Sequence, residues 1–143
     1  MIKLIGYKIL ILATLMFFAS CSNQTYHPLE REGNCPVIMQ ARTFGGIFGG
    51  VNGFDLKITN TGENGLKNCF ISFDNKYKHT LNGLHSQDHG LIKDSVFLPH
   101  TEYALIFSGD ESNFIYFNLD ADKYVPSDIK IECNECSSTW KLK

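Results

Sequence analysis

Apolar and polar positions alternate through most of the chain after residue 50, and a period of two predicts β-strands. In residues 54–60, Phe54, Leu56 and Ile58 share one face, which is typical of a half-buried strand. Comparable alternation occurs at 67–74, 76–81 and 129–133, and short strands are also expected at 96–98, 103–107 and 139–142. Residues 113–119 are apolar on both faces, which suggests a central strand covered on both sides. No amphipathic helix pattern stands out here, so the sequence predicts an all-β domain.

Turn signals separate these segments. The cluster TGENG at 61–65, Asn82-Gly83 and Pro99-His100 carry residues that suit the backbone angles of tight turns. About seven to nine short strands, with turns about every 8–12 residues, are typical of two packed antiparallel sheets. We therefore expect an antiparallel two-sheet β-sandwich over residues 35–143.

One stretch of strands and turns resembles a known class of domain. The run GFDLKITNTGENGLKNCFISFDNKYKHTL, followed by IKDSVFLP and DIKIEC, resembles small immunoglobulin-like or fibronectin-III-like domains of exported bacterial proteins. The resemblance covers about Gly53–Cys133. It implies an immunoglobulin-like sandwich, and it carries no catalytic residues over to this chain because such domains share none.

The N-terminus has the layout of a secretory signal. Lys3 and Lys8 are followed by the apolar or small stretch ILILATLMFFAS, which ends at Ser20 and is too short for a comfortable membrane span. Phe18-Ala19-Ser20-Cys21 resembles the lipobox of bacterial lipoproteins. That resemblance implies cleavage before Cys21, which becomes the lipidated first residue, with diacylglycerol and usually a further acyl chain such as palmitate.

The signal sets an expected domain organisation and address. We expect a signal helix at 1–20, a flexible tether at 21–34 and the β-sandwich at 35–143. No acidic residue follows Cys21 directly, which favours the outer membrane by analogy with proteobacterial sorting. An uncleaved membrane anchor and a plain secretory signal with a chance cysteine are the alternatives.

The net charge of the chain and the distribution of its basic residues argue against a nucleic-acid partner. The chain has a formal net charge of −2, and removal of Lys3 and Lys8 with the signal gives −2 − 2 = −4 for the mature chain. Basic residues do not cluster as nucleic-acid binding requires. We therefore expect a lipid-anchored cell-envelope protein with no nucleic-acid partner, while the membrane face stays open.

Four cysteines follow the lipobox cysteine: Cys35, Cys69, Cys133 and Cys136. An even number in an exported chain predicts disulfides, and four cysteines allow three pairings. Cys133 and Cys136 flank a two-residue turn and are close enough to bond to each other. Alternatively, Cys133 shares a predicted face with Ile129 and Ile131, and Cys69 shares one with Ile71 and Phe73, which would allow a Cys69–Cys133 bridge between sheets, as in immunoglobulin domains. A strand precedes Cys133, so the helix N-terminus of thioredoxin-type redox sites is missing.

The spacing of histidine and acidic residues gives only weak support for a metal site. His85 and His89 would suit one helix face, but SQDHG is loop-like, and His79 lies on a predicted strand. Asp120 and Asp122 lack the glycine and late glutamate of a calcium loop. We expect no metal and no cofactor.

The segment FGGIFGGV at 44–51 is the most unusual local feature. Its glycine pairs suit an early strand or bulge with close packing. The sharper hypothesis is a contact loop in which Ile47 and Phe48 insert into a partner or the bilayer surface.

The sequence contains no motif for nucleophilic, zinc or phosphate chemistry. We therefore predict that the protein is not an enzyme but a binding or assembly module of the cell envelope. The alternative function is carbohydrate binding through an aromatic platform. Its candidate rings, if exposed, are Tyr77, Tyr103, Tyr124 and Trp140.

Overall fold

The chain folds into β-strands joined by turns, as the alternation predicts. A computed structural model describes residues 25–45, 51–108, 113 and 125–142. Its strands are β1 (His27–Pro28), β2 (Arg31–Gly33), β3 (Val37–Gly45), β4 (Val51–Asn60), β5 (Leu66–Lys67), β6 (Phe70–Phe73), β7 (Tyr77–Thr80), β8 (His85–Ser86), β9 (Gly90–Leu91), β10 (Val96–Phe97), β11 (Glu102–Ser108), β12 (Asp128–Glu132) and β13 (Ser137–Lys141). Within the described residues the all-β class is confirmed, except that Asn113, which was predicted to begin a strand, is helical.

The strands form two larger antiparallel sheets and one small pair. Sheet A has the order β1-β3-β4-β11-β8-β9, and sheet B has the order β2-β13-β12-β6-β7. The pair β10-β5 stands apart from both sheets. Every pairing between these strands is antiparallel.

The apolar faces of the two sheets meet in one core. Phe54 of β4 lies opposite Phe107 of β11, and their rings stack with centroids 4.7 Å apart. Phe73 of sheet B meets both rings edge-on, at 5.5 Å and 5.2 Å. Edge-to-face contacts of this kind add to the burial of the rings. Trp140 of β13 is also fully buried.

The long strands define two ends of the domain. At the entry end, β3 finishes at Gly45 and β4 begins at Val51. At the cysteine end, β4 finishes at Asn60 and β12 finishes at Glu132. β4 rises about 3.3 Å per residue, which separates the two ends by about 30 Å.

Asn60 organises the cysteine end. Its buried side-chain amide donates to the carbonyls of Phe97, at 2.9 Å, and Asn64, at 3.1 Å. Its Oδ1 accepts from the amide of Gly62 at 2.9 Å. The predicted turn at 61–65 and strand β10 are thereby fixed to the end of β4.

Residues 25–33, here called the N-terminal strap, join the edges of both sheets. β1 pairs with β3 in sheet A, and β2 pairs with β13 in sheet B. Between them, the Leu29 amide donates to the Met39 carbonyl at 3.0 Å and its side chain packs on the core. The sequence predicted a flexible tether up to residue 34, whereas residues 27–33 are hydrogen-bonded. Strands of two and three residues are too short to show periodicity.

Several predicted features fall outside the described residues. These are the signal helix at 1–20, the lipidated Cys21, the contact-loop residues Ile47 and Phe48, Tyr124, and all of the predicted strand at 113–119 except Asn113.

Candidate functional site

The four cysteines of the domain are joined in two disulfides at the cysteine end. Cys35 bonds to Cys136, and Cys69 bonds to Cys133. Of the two bridges that the sequence left open, the direct Cys133–Cys136 bond is absent and Cys69–Cys133 is present. The two halves of the CxxC segment therefore belong to different bridges.

The Cys69–Cys133 bridge joins neighbouring strands of one sheet. Glu132 of β12 lies opposite Phe70 of β6, and one further step along both strands brings Cys133 opposite Cys69. The inter-sheet placement that the shared faces suggested is therefore wrong. Cys69 and Cys133 adjoin the ends of β6 and β12, which are neighbouring strands of sheet B.

The same register argument places all four cysteines in one line. Glu132 lies opposite Ser137, so Cys133 lies opposite Cys136 across the hairpin turn. Ser138 lies opposite Gly33, and the Asn34 amide donates to the Ser137 carbonyl, which brings Cys136 to Cys35. The resulting cysteine row has the order Cys35, Cys136, Cys133, Cys69.

The middle of the cysteine row is a close group of sulfur atoms. The Sγ atoms of Cys35, Cys133 and Cys136 all lie within 4.8 Å of one another. All four cysteines point to the inner face, where Cys35 and Cys69 are buried and Cys133 and Cys136 are half-buried. Since each sulfur is already bonded to another sulfur, the group offers no thiolate to a metal ion.

The turn between Cys133 and Cys136 is firmly held. The Cys133 amide donates to the Cys136 carbonyl at 2.8 Å and closes the turn. The Asn134 amide donates to the Lys67 carbonyl at 3.0 Å, and the Lys67 amide donates to Glu135 Oε2 at 2.9 Å. The exposed tip, Asn134-Glu135, is thus hydrogen-bonded to β5.

A second cluster, on the outer face of sheet A, holds the start of the N-terminal strap. Tyr26 lies beside β3, with the Arg42 guanidinium 4.7 Å from its ring centroid and the Lys57 ammonium 5.0 Å away. Lys57 also pairs with Glu102 at 3.3 Å. Cations within about 6 Å of an aromatic ring are attracted to its face. These contacts fix the chain where it enters the domain.

Asp55 is the buried charge of this cluster. Its side chain is 2% exposed, and Oδ2 accepts from Arg42 Nε at 2.7 Å and Nη2 at 2.6 Å. Oδ1 is buried with no hydrogen-bond partner among the described residues. Burial raises the pKa of Asp55 above its ordinary value, while the two Arg42 bonds act in the opposite direction. No motif in the sequence marks Asp55, since it is one polar position in an alternating strand.

A small cavity lies beneath Tyr103 at the cysteine end. Tyr103 stacks on Phe97 at 5.1 Å and meets the His89 ring edge-on at 5.5 Å. Burial raises the pKa of the Tyr103 hydroxyl, and the charge of Asp94 raises it further. The cavity has a volume of about 10 Å³, which is room for a single water molecule rather than a substrate.

The rings considered for a carbohydrate platform do not share a surface. Trp140 and Tyr103 are 1% and 5% exposed and belong to the core. Tyr77 is half-buried and packs against the same core. Tyr124 lies outside the described residues. The exposure that the platform required is therefore missing for Trp140 and Tyr103.

Within the described parts of the chain, no helix has the length and apolar character needed to cross a bilayer. The predicted signal peptide and Cys21 precede the first described residue, Thr25. Comparison with known proteins gave no match to a protein-family model, a curated protein or a solved structure.

Proposed function

We propose that the protein is a lipid-anchored, non-enzymatic module of the cell envelope, attached through Cys21 to the outer membrane. Its β-domain binds or assembles with another envelope component. The observation that carries the anchor is the lipobox-like segment Phe18-Ala19-Ser20-Cys21, and the N-terminal strap would hold the domain close to the lipidated residue. From Cys21 to Thr25 there are four residue steps, and an extended chain spans at most about 14 Å over that distance.

The strap accounts for the direction in which the chain leaves the domain. β1 is antiparallel to β3, with His27 opposite Ala41. Continuing this register towards the N-terminus brings Thr25 opposite Thr43, close to the entry end. The lipid would therefore lie at the entry end, and the cysteine end would point away from the bilayer.

The immunoglobulin-like fold belongs to the same proposal. In that fold, strands A, B, E and D form one sheet and G, F and C the other. Taken in chain order, β3, β4, β6, β8, β11, β12 and β13 correspond to A, B, C, D, E, F and G. Sheet A then contains A-B-E-D and sheet B contains G-F-C. Domains of this kind commonly serve recognition, which supports a binding role by analogy.

Mass spectrometry of the mature protein tests the anchor. The full chain expressed in a lipoprotein-processing bacterium should begin at Cys21 and carry acyl mass, and Cys21→Ala should abolish both the acylation and the membrane fraction. A mature chain that begins elsewhere, or one without acyl groups, would contradict the anchor.

Crosslinking within intact envelopes tests the binding role. The lipidated chain should give a reproducible crosslinked species that disappears with Cys21→Ala, because the soluble domain is no longer held beside its partner. Recovery of no discrete crosslinked species from the lipidated chain would count against the assembly role.

The proposed contact loop has its own test. β3 ends and β4 begins at the entry end, and Ile47 and Phe48 lie between these strands in sequence. Phe48→Asp should weaken vesicle binding of the lipidated protein without changing its stability. The matched control is Leu98→Asp, because Leu98 is 47% exposed near the cysteine end. Equal vesicle binding by both variants would exclude insertion of Phe48.

A further inference from the structure

We propose that the cysteine row is a thiol–disulfide exchange site, at which a dithiol of the export compartment reduces one bridge and the remaining bridge moves along the row. The site would take a small-molecule or protein dithiol as its substrate. This inference goes beyond the binding role and does not depend on the lipid anchor.

The argument begins with the order of the four residues. Cys35, Cys136, Cys133 and Cys69 lie opposite one another on adjacent chain segments. The two bridges use the outer contacts of the row, with Cα–Cα distances of 4.9 Å for Cys35–Cys136 and 4.1 Å for Cys69–Cys133. The central contact, Cys136 to Cys133, is also between directly opposite residues, whose Cβ atoms lie about 4.5–5.5 Å apart in antiparallel strands. A central bridge therefore needs no change in strand register.

The sulfur positions agree with this order. The Sγ atoms of Cys133 and Cys136 belong to different bridges and yet lie within 4.8 Å of each other. A thiolate released on one bridge would consequently start next to a sulfur atom of the other. Exchange proceeds by attack of a thiolate on a disulfide sulfur, so this proximity is the main geometric requirement.

Burial determines where an external thiol enters. Cys35 is completely buried and Cys69 is 4% exposed, whereas Cys133 and Cys136 are half-buried beside an exposed two-residue tip. An attacking thiolate therefore reaches Cys136 or Cys133 first. The leaving thiolate forms on Cys35 or Cys69, inside the domain.

The chemistry balances with one dithiol. A thiolate of the dithiol attacks Cys136 Sγ, breaks the bond to Cys35 and forms a mixed disulfide, and Cys35 takes up a proton. The second thiol of the dithiol resolves the mixed disulfide, so the dithiol is oxidised to its disulfide and Cys136 is released as a thiolate. That thiolate attacks Cys133 Sγ and displaces Cys69, which is then protonated. Two electrons have entered, and one bridge, Cys133–Cys136, remains.

The geometry of the cysteine row also prevents the two thiols released by the exchange, Cys35 and Cys69, from bonding to each other. Cys35 and Cys69 are separated by three strand spacings of about 4.8 Å, or roughly 14 Å, which is too far for a disulfide. The form with the central bridge therefore keeps two thiols. It can be oxidised again only by returning to the two outer bridges.

The variant Cys35→Ser isolates the internal step. It leaves Cys69, Cys133 and Cys136, which share one bridge and one thiol. The full-length variant is incubated near pH 8, acid-quenched, alkylated and mapped by mass spectrometry. We expect label on both Cys136 and Cys69, within about tenfold of each other, since both possible bridges join directly opposite residues. Label on Cys136 alone would show that the bridges are static and would overturn the proposal.

Two further variants separate exchange from unfolding. Cys69→Ser is the mirror case: a Cys35–Cys136 bridge leaves Cys133 free and a Cys133–Cys136 bridge leaves Cys35 free, so we expect label on both Cys133 and Cys35 and none on Cys136. Cys35→Ser with Cys133→Ser leaves Cys69 and Cys136, which are not neighbours in the row, and both should be labelled. A Cys69–Cys136 bridge in that folded variant would contradict the row, and circular dichroism reports whether each variant is folded. Cys21 is read on its own peptide, so failure of the anchor leaves this test intact.

Discussion

At the scale of single residues, two carboxylates on the outer faces of the sheets, Asp55 and Glu132, link the stability of the domain to pH. Asp55 is buried on the outer face of sheet A and depends on one partially exposed cation, Arg42. Glu132, on the outer face of sheet B, is shared by two lysines. The sequence shows both carboxylates only as the polar positions of alternating strands. Which cation pairs with each carboxylate depends on the register between neighbouring strands, and that register cannot be deduced from a single sequence.

Arg42→Ala should destabilise the domain by about 2–3 kcal/mol, because it leaves a buried carboxylate unpaired and the exposure of Arg42 reduces the loss. The control is Arg42→Ala with Asp55→Asn, which removes the unpaired charge and should recover part of the loss. Urea unfolding with intact disulfides measures both. A single variant as stable as the wild type would show that the pair contributes nothing.

The pH dependence of the Arg42→Ala variant has a definite sign. Burial is the largest influence on the pKa of Asp55, so loss of the lowering effect of Arg42 raises that pKa further above the unfolded value, although hydrogen bonds from Tyr26 and the Phe107 backbone still act to lower it. A carboxyl with a raised folded pKa is protonated longer in the folded state, so stability falls as pH rises from the unfolded towards the folded pKa. The variant should therefore differ least from the wild type below about pH 4 and most at pH 7. Unfolding at a series of pH values tests this, and a constant difference would refute it.

Glu132 offers a direct titration. Hydrogen bonds from Lys130 and Lys78 lower the pKa of Glu132 to about 2. Lys78 Nζ lies 2.9 Å from Oε2, and Lys130 Nζ lies 2.8 Å from Oε1. We expect Lys78→Ala to raise the pKa of Glu132 in an NMR titration, while Lys141→Ala, which removes a cation 3.9 Å from Glu32, should leave it unchanged. The lowered pKa stabilises the fold above the unfolded pKa, and this small contribution is lost as pH falls towards 2.

At the scale of elements, the predictable strands are those with a clear period of two. β4 contains the predicted strand at 54–60, and β6, β7, β11, β12 and β13 overlap the predicted segments. The strap was missed because β1 and β2 have two and three residues, too few for a pattern. The early strand or bulge suggested for residues 44–51 overlaps only the last two residues of β3, and the first seven residues of β3 were not predicted, although Val37, Met39 and Ala41 alternate towards the core.

Gly33 is the residue on which the strap depends most. Its φ is +122°, and a Cβ there would lie 2.6 Å from Ser138 Oγ and against the Ser137 carbonyl. Gly33→Ala should cost about 1–3 kcal/mol and weaken the pairing of β2 with β13. Gly90→Ala is the control, since Gly90 also has positive φ, at +63°, but has open space around it. Thermal unfolding should show a larger loss for Gly33→Ala, and equal losses would mean that backbone strain alone accounts for the effect.

At the scale of the whole molecule, the N-terminal strap leaves the domain at the entry end, so the proposed lipid anchor would orient the domain with its entry end towards the membrane. The sequence predicts the all-β class and an even set of bridged cysteines, because both follow from local periodicity and residue counts. The sites of the domain depend on which strands become neighbours. No local pattern in the sequence shows that Cys35 lies beside Cys136 or that His27 lies opposite Ala41.

The proposed orientation predicts a contrast between the two ends. A photoreactive benzoylphenylalanine at Thr43, which is exposed near the entry end, should crosslink to lipid in envelopes that contain the lipidated protein. The same group at Glu63, which is exposed beyond β4 at the cysteine end, should not, because about 30 Å of domain separates the two ends. Lipid crosslinks from Glu63 would show that the orientation is the reverse of the proposed one. The absence of lipid crosslinks from Thr43 would show that the entry end does not lie against the bilayer.

The cysteine row also bears on oxidative folding. Of the three complete pairings of four thiols, only one joins nearest neighbours throughout, and it is the native one. Each of the other two contains a bond between residues at least two strand spacings apart, roughly 10 Å between Cα atoms, which needs backbone movement to close even where the Sγ atoms are near, as for Cys35 and Cys133. A chain that forms its hairpins before its bridges would therefore reach a single oxidised product. The order of strands in sheet B thus favours the native pairing once the hairpins have formed.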